Sequence, residues 1–415
     1  MSFKYKELGE CIDLIIDNRG KTPKKMGSDW VEKGIKTISA KNVHNGKLDN
    51  YESIRFVNSE VYKKWMKDDI KKGDCLLVSE GATLGENLYW DLDEKVVIGQ
   101  RLYCIRTNEE ILNSKYFSAY LNTVEYQKEI EGRSTGTSVL GIRQTELLKT
   151  KVLIMDMEEQ KFIGNLYYDI NLKIEVNNKI NKNLEEMAQA IFKQWFVDFE
   201  FPNEEGKPYK SSGGEMVESE LGMIPKGWKI FKLGDFIKFI KGKKPKKIEE
   251  KFFDGCELYL TIDVLNRNSE IFANKDKIIE VNDDDILMVM DGASSGSLYY
   301  GLNGILGSTL AKISVLNTID KSFLYYYLKL NESSIKSHLT GSAIPHTDKE
   351  FINKLCLAIP NDEMILKKAD TILNNIRNHT INLNTECSKI KKVRDTLLPK
   401  LMSGEIRVPL ENSEN

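Results

Sequence analysis

Two lysine-rich loops of almost the same spelling carry the side chains best suited to chemistry, and the chemistry they suit is phosphate binding. Lys21, Thr22, Lys24 and Lys25 surround Pro23 in the run GKTPKK, and Lys243, Lys244, Lys246 and Lys247 surround Pro245 in GKKPKK. Flexible cations near a surface are what contact with a nucleic-acid backbone requires, because release of condensed counterions supplies the affinity. A second candidate is the stretch Gly132, Arg133, Ser134, Thr135, Gly136, Thr137 and Ser138, followed by Arg143 and Gln144. Small hydroxyl residues let a backbone approach phosphates, while Arg and Gln can make bidentate contacts with guanine and adenine edges. Its counterpart later in the chain is Thr340, Gly341 and Ser342 with His346. A single lysine cluster is usually a solvated loop, and turn formation alone would explain either small-residue run. Repetition favours the functional reading.

The repetition is ordered along the chain. Leu8-Gly9-Glu10 is echoed by Leu233-Gly234-Asp235, the loop at Gly20 by the loop at Gly242, Gly81-Ala82 by Gly292-Ala293, and Thr135-Gly136 by Thr340-Gly341. The offsets 233 − 8 = 225, 242 − 20 = 222, 292 − 81 = 211 and 340 − 135 = 205 fall steadily, as they would if a second copy carried shorter loops. A duplicated chain with two similar working faces is expected.

Composition narrows the functional classes. With 415 residues, 41% hydrophobic and 29% charged, the chain has material for two packed domains and no case for wholesale disorder. Its longest apolar runs are far below the roughly 20 residues needed to span a bilayer, and no signal-peptide pattern opens it, so a cytoplasmic location is expected. Six cysteines without a C-x-x-C pair and four scattered histidines give no metal spacing. A formal charge of −2 gives no global signal for nucleic acid, so DNA binding would have to use local basic surfaces. There is no G-x-x-x-x-G-K-[ST] loop, no G-x-G-x-x-G fingerprint, no Asn/Asp-Pro-Pro-aromatic tetrapeptide and no G-x-S-x-G elbow. No catalytic residue is assigned.

The elements that must position these loops read as two compact heads, each followed by a helical tail. Runs such as Cys75 to Ser79 and Asp285 to Met290 read as strands. Tyr116, Phe117, Tyr120 and Leu121, answered by Phe323, Leu324, Tyr327 and Leu328, form one buried stripe on a short helix in each head. In the first tail Ile163, Leu166, Ile170, Ile180, Leu184, Met187 and Ile191 follow a coiled-coil spacing, interrupted by Lys173 and Asn177. In the second tail Ile365, Ala369, Ile372, Ile376, Leu383, Ile390, Val393 and Leu397 do so, interrupted by His379 and Glu386. Each tail of roughly 35 residues would be about 50 Å long, and two such stripes should pair antiparallel, one head near each end. The stretch between the first tail and the second head is rich in Gly, Pro and Ser and reads as a surface connection.

These residues resemble a known family, the specificity subunits of type I restriction-modification systems. The resemblance is carried by QWFVDFEFPNEEGKPYKSSGGEMVESELGMIPKGW from Gln194 to Trp228, LLPKLMSGEI from Leu397 to Ile406, the loop signatures above, and the EEQ run at Glu158. It covers nearly the whole chain. It implies an α+β fold: two pseudo-repeated mixed α/β target recognition domains over 1–156 and 228–360, each followed by a long helix over 157–199 and 361–402. A connection at 200–227 and a tail at 403–415 complete the chain, and the helices would form an antiparallel coiled coil. Each domain would read half of a split double-stranded DNA site. Two modification subunits would bring S-adenosylmethionine and methylate adenine, and restriction subunits would bring ATP, Mg and cleavage, leaving this chain without cofactor, metal or catalysis. Asn361-Asp362-Glu363-Met364 departs from the Glu-Gln opening of the second helix. The competing reading is a duplicated coiled-coil scaffold that tethers proteins and touches no DNA, which leaves the repeated basic loops without a purpose.

Overall fold

The computed structural model describes residues 4–44, 46–136, 139–267, 269–275, 278–316 and 320–408. Two helices of 40 residues stand out, α1 at Met157–Phe196 and α2 at Glu363–Met402. The chain divides within both of them: one compact unit is 1–177 with 385–415, the other 178–384. Among the described residues no helix is long and apolar enough to cross a membrane.

In the first unit β1 (Lys4–Glu7) pairs antiparallel with β6 (Lys151–Ile154). Between them β2 (Ile12–Asp17), β3 (Cys75–Val78), β4 (Asn87–Tyr89) and β5 (Leu102–Thr107) form a sheet in the order β2-β5-β3-β4. All four residues of β3 are buried, which its unbroken apolar run requires of a strand covered on both faces. Successive side chains of a strand point to opposite faces. Cys75, Leu77, Tyr103 and Ile105 therefore enter one core with Tyr116 and Phe117, while Leu76, Val78, Leu102 and Cys104 enter another with Trp65, Trp90 and Ile38. The second core is closed by strand Ile35–Ile38, parallel to Val96–Ile98 and antiparallel to Arg55–Val57.

The second unit repeats this arrangement. β7 (Trp228–Lys232) pairs with β12 (Cys356–Pro360), and β8 (Ile237–Lys241), β9 (Ile286–Val289), β10 (Leu298–Tyr300) and β11 (Leu310–Val315) form a sheet in the order β8-β11-β9-β10. Ile286, Met288, Ala311 and Ile313 enter the core that holds Phe323, Leu324 and Leu328, and Leu287, Val289 and Leu310 enter the other. The aromatic stripes expected to be core are core in both units. The connecting stretch is more structured than a surface linker. Phe201 stacks between Tyr209 at 4.6 Å and Trp228 at 5.3 Å, and Met216–Ser219 pairs with Gly222–Pro225 as a hairpin.

Within each unit the long helices run antiparallel. In the first, Asn171 Oδ1 accepts from Arg394 at 2.6 Å, and Glu386 accepts from Asn177 at 2.7 Å and pairs with Lys173 at 3.4 Å, so rising numbers on α1 meet falling numbers on α2. Ile163, Leu166 and Tyr167 share a core with Leu397, Leu398, Leu401 and Met402. In the second, Asn181 donates to Asn384 at 2.9 Å, and Ala188, Ile191 and Phe192 share a core with Ile365, Ala369, Ile372, Leu373 and Ile376. Ile170, Leu184, Leu383 and Ile390 are half-buried.

Three of the expected seam positions are wrong. Ile180, Met187 and Val393 are solvent-exposed, the last two more than half so. The buried register on α1 runs Tyr167, Ile170, Ile174, Asn177 and then Asn181, Leu184, Ala188, and a helix turns about 100° per residue. That register puts Asn177 inside, fully buried, and turns Ile180 and Met187 outward. On α2, Cys387, Arg394 and Leu398 hold the inward face and Val393 does not. Asn177 is an expected polar interruption of the seam; choosing the apolar residue at the other steps missed Asn181 and Arg394.

The EEQ opening of α1 has a structural role. Gln160 is buried; its side chain accepts from the Asn113 backbone N–H at 2.9 Å and donates to the carbonyls of Met155 at 2.9 Å and Ile111 at 3.1 Å, tying the helix start to the head. The opening of α2 lacks such a group, and its residues 361–364 are exposed. Gln160→Leu leaves these backbone groups without a partner, so urea unfolding of the variant should show a loss of about 2–3 kcal/mol; an unchanged midpoint would contradict this role.

Candidate nucleic-acid interface

In the first unit the chain leaving β2 turns back at Arg19, whose guanidinium binds the Asp17 carboxylate at 2.9 and 2.7 Å and lies 4.5 Å over the Tyr103 ring. The loop beyond is held by Gln100, which accepts from the Gly20 N–H at 3.0 Å and donates to the Lys21 carbonyl at 2.6 Å. Lys21 donates to Asn18 at 2.7 Å and to the Trp65 carbonyl at 2.8 Å, and burial, then the Lys67 charge, lower its pKa. Lys25 donates to the Gly20 carbonyl at 2.6 Å, and Thr22 Oγ1 accepts from the Lys25 backbone N–H at 3.4 Å. These residues shape the loop. Lys24 is exposed, and its side chain makes no hydrogen bond or ion pair among the described residues.

Two further signatures, distant in sequence, meet beside each other. Thr135 and Gly141 exchange backbone hydrogen bonds at 2.9 and 3.1 Å, Gly81 N–H donates to the Leu140 carbonyl at 3.0 Å, and Ile142 N–H donates to the Ser79 carbonyl at 2.9 Å. Glu80, in the middle of this junction, pairs with Arg101 at 2.8 Å. Ser134 donates to the Ile130 carbonyl at 2.7 Å, and Arg133 pairs with Glu129 at 3.1 Å and Glu146 at 3.4 Å. Arg143 is exposed and makes no ion pair among the described residues, while Gln144 is half-buried at the start of a helical turn. Arg133, Ser134, Thr135, Arg143, Thr145 and Glu146 line a shallow groove. Gly136 opens the turn, and Thr137 and Ser138 lie outside the described residues.

The second unit builds the same junction with more charge. Thr340 and His346 exchange backbone hydrogen bonds at 2.9 and 2.7 Å, and Gly292 N–H donates to the Pro345 carbonyl at 3.0 Å. Asp291 sits where Glu80 sits in the first unit, since 291 − 80 = 211 is the offset of the adjoining glycines. It binds Lys241 at 2.8 Å and His346 Nδ1 at 2.8 Å, so one carboxylate ties the basic loop to the Thr340–His346 turn. Burial pushes the Asp291 carboxyl up, and hydrogen bonds from Lys241 and His346 outweigh it, leaving the pKa below its ordinary value. Lys243, Lys244 and Lys246 are exposed and unpaired among the described residues, whereas Lys247 pairs with Glu249 at 3.1 Å and lies 4.0 Å over the Phe253 ring. Gly341 and Ser342 are exposed in the turn.

The family model described as the type I restriction modification DNA specificity domain matches residues 2–186 and again 225–392. The chain belongs to that family. The MjaIX type I restriction enzyme specificity subunit of Methanocaldococcus jannaschii is 29% identical, over 98% of this chain and 93% of its own. The MjaVIII specificity subunit of the same organism is 34% identical, over 43% of each chain. The HindI specificity subunit of Haemophilus influenzae is 23% identical, over 91% of this chain and all of its own. The crystal structure of the type I S subunit from M. genitalium has the same fold, with a TM-score of 0.62 at 16% identity over 96% of both chains.

In this specificity subunit the structure thus brings together, in each unit, the Gly-Ala loop and the Thr-Gly turn, and in the second unit the basic loop as well through Lys241. Glu80, Asp291 and Gln100 were missed by sequence reasoning. The first two adjoin a repeated glycine, which was the available signal; the third carried none. Among the described residues no group of three His, Cys, Asp or Glu side chains could hold a metal ion.

Because the folded pKa of Asp291 lies below the ordinary 3.8, its pairing contributes stability above that value and loses it as pH falls through the lowered one. Asp291→Asn should therefore be less stable than wild type by about 1 kcal/mol at pH 7, with the difference shrinking in urea unfolding at strongly acidic pH. A difference independent of pH would contradict the ion-pair role.

Proposed function

We propose that this specificity subunit reads a split double-stranded DNA site, one short sequence per unit, and that it carries no catalytic group of its own. The observation that supports this most is the junction built twice: in each unit a Gly-Ala loop is hydrogen-bonded to a Thr-Gly turn, and in the second unit Asp291 ties the basic loop to it as well. Duplicated faces of this kind suit two half-sites, with the helix pair setting their separation. Phosphate contacts would fall to Lys24, Arg143, Lys243, Lys244 and Lys246, whose charges are exposed and unpaired among the described residues. Such contacts position the protein rather than specify sequence. Lys21, Lys25 and Arg133 would act by shaping the loops they bond.

In this reading two modification subunits supply S-adenosylmethionine and methylate adenine, and restriction subunits supply ATP-driven cleavage with Mg. The outward apolar residues of α1, Leu172 and Val176 in the first unit and Ile180 and Met187 in the second, suit a partner's helix. A scaffold that touches no DNA would have no use for Lys243, Lys244 and Lys246, unpaired among the described residues, beside a junction built twice.

The test is to express the chain with its modification subunits and map N6-methyladenine across the host genome. The expected result is a motif of two short sequences at a fixed gap, in which exchange of residues 20–27 and 135–141 for those of another family member alters one half only. Methylation without a bipartite motif, or exchange that alters both halves, would overturn the reading. For affinity, Lys243, Lys244 and Lys246 changed together to Ala should flatten the plot of log K against log salt by up to about 0.9 per lost phosphate contact. An unchanged slope in fluorescence anisotropy would remove these lysines from the interface.

A further inference from the structure

The Thr135–Gly141 and Thr340–His346 turns share a feature that the phosphate-binding reading does not use. Each holds aliphatic surface out in solvent: in the first, Val139 is 49% exposed with Leu140 beside it at 50%, and in the second Ile344 is 58% exposed. Val139 and Ile344 are the same position in the duplication, because 344 − 139 = 205 and 340 − 135 = 205. They are also built the same way. At Gly136, with φ +131°, an added Cβ would lie 2.1 Å from the Val139 carbonyl oxygen; at Gly341, with φ +85°, it would lie 2.5 Å from the Ile344 carbonyl oxygen. In both turns the glycine lets the carbonyl of the aliphatic residue fold back over it, and the next residue's carbonyl, Leu140 or Pro345, accepts from the Gly81 or Gly292 N–H. The aliphatic side chain is thus fixed outward on a turn whose backbone is pinned on both sides.

Solvent exposure of a branched aliphatic is unfavourable, and its recurrence at one structural position in two copies argues for an occupant. The surroundings say which. Arg143 lies just beyond the first turn, and the second is tied through Asp291 to the loop carrying Lys243, Lys244 and Lys246. Cations on the same turn or on a loop tied to it, together with an apolar tip, suit the major groove of DNA, where the one apolar group on the base edges is the thymine 5-methyl. Resting on the reading of this chain as a DNA-binding subunit, we propose that Val139 and Ile344 are specificity-determining residues, each packing against a thymine methyl in its own half-site.

The test uses the complex with its modification subunits and duplexes carrying the methylated motif mapped in cells. Thymines are replaced by deoxyuridine one at a time in each half, which removes the methyl alone. For wild type, one replacement in each half should weaken binding about fourfold, the effect of losing one buried methyl. Val139→Ala should abolish that response in one half and leave the other, with Ile344→Ala doing the reverse; both side chains are exposed, so neither variant should lose stability. Responses that persist unchanged in the variants, or no thymine whose replacement matters in either half, overturn the proposal. So does a variant that weakens capture of the modification subunit while keeping the deoxyuridine response, since the tip would then be a protein contact. Failure of wild type to bind the mapped duplex at all would instead sink the DNA-binding reading beneath it.

Discussion

A forty-residue helix with an apolar stripe cannot stand by itself in water, and nearly everything else in this chain follows from how α1 and α2 answer that constraint. Burying a Leu or Ile is worth roughly 1.5–3 kcal/mol, so the stripe selects a partner helix. Each unit supplies one by taking part of α1 and part of α2 in opposite directions, and then extends the same core into its head. Ile163 and Leu401 share their core with Leu8 and Phe117, and Phe192 and Leu373 share theirs with Phe323 and Leu357. The polar members of the seam refine this pairing. The side-chain amides of Asn177 and Asn181 donate to Glu386 and Asn384 in the antiparallel register seen here, while the buried side-chain oxygens of both asparagines find no partner among the described residues, and a buried asparagine is a recognised means of fixing register at some cost in stability.

On that frame the working loops are held by backbone more than by side chains. The junction of the Gly-Ala loop with the Thr-Gly turn is made of reciprocal N–H to carbonyl bonds in both units, so the side chains it displays can vary without disturbing it. Where charge is used it differs between the copies. The first unit joins Glu80 to Arg101 and keeps Lys21 and Lys25 as struts; the second joins Asp291 to Lys241 and His346 and leaves three lysines of its basic loop unpaired among the described residues.

Much of this could be read from residue order, for physical reasons. Duplicated signatures mark positions where backbone geometry is demanding, which is why glycine-containing echoes led to loops that the fold brings together. The aromatic stripe on each short helix and both long helices followed from periodicity. What could not be read was which way a residue with two options would face. Ile180 and Val393 look like seam residues by hydropathy, but the inward positions belong to Asn181 and Arg394, whose partners Asn384 and Asn171 lie on the other helix, more than 200 residues away. In the same way the lysines of GKTPKK and GKKPKK look equivalent. Lys21 is drawn inward only because Asn18 and the Trp65 carbonyl are there to receive it, and Gln100 as a clamp is visible only once its strand end is placed beside Gly20.

In the proposed function the helix pair sets the distance between the two half-sites. This is tested most directly by inserting one heptad into each helix at facing positions, after Lys182 in α1 and after Leu383 in α2, and mapping adenine methylation in cells carrying the partner subunits. Seven residues add about 10 Å at 1.5 Å each, or about three base pairs at 3.4 Å, so the gap should lengthen by that amount with both half sequences unchanged. A gap that stays the same while methylation persists would contradict the account.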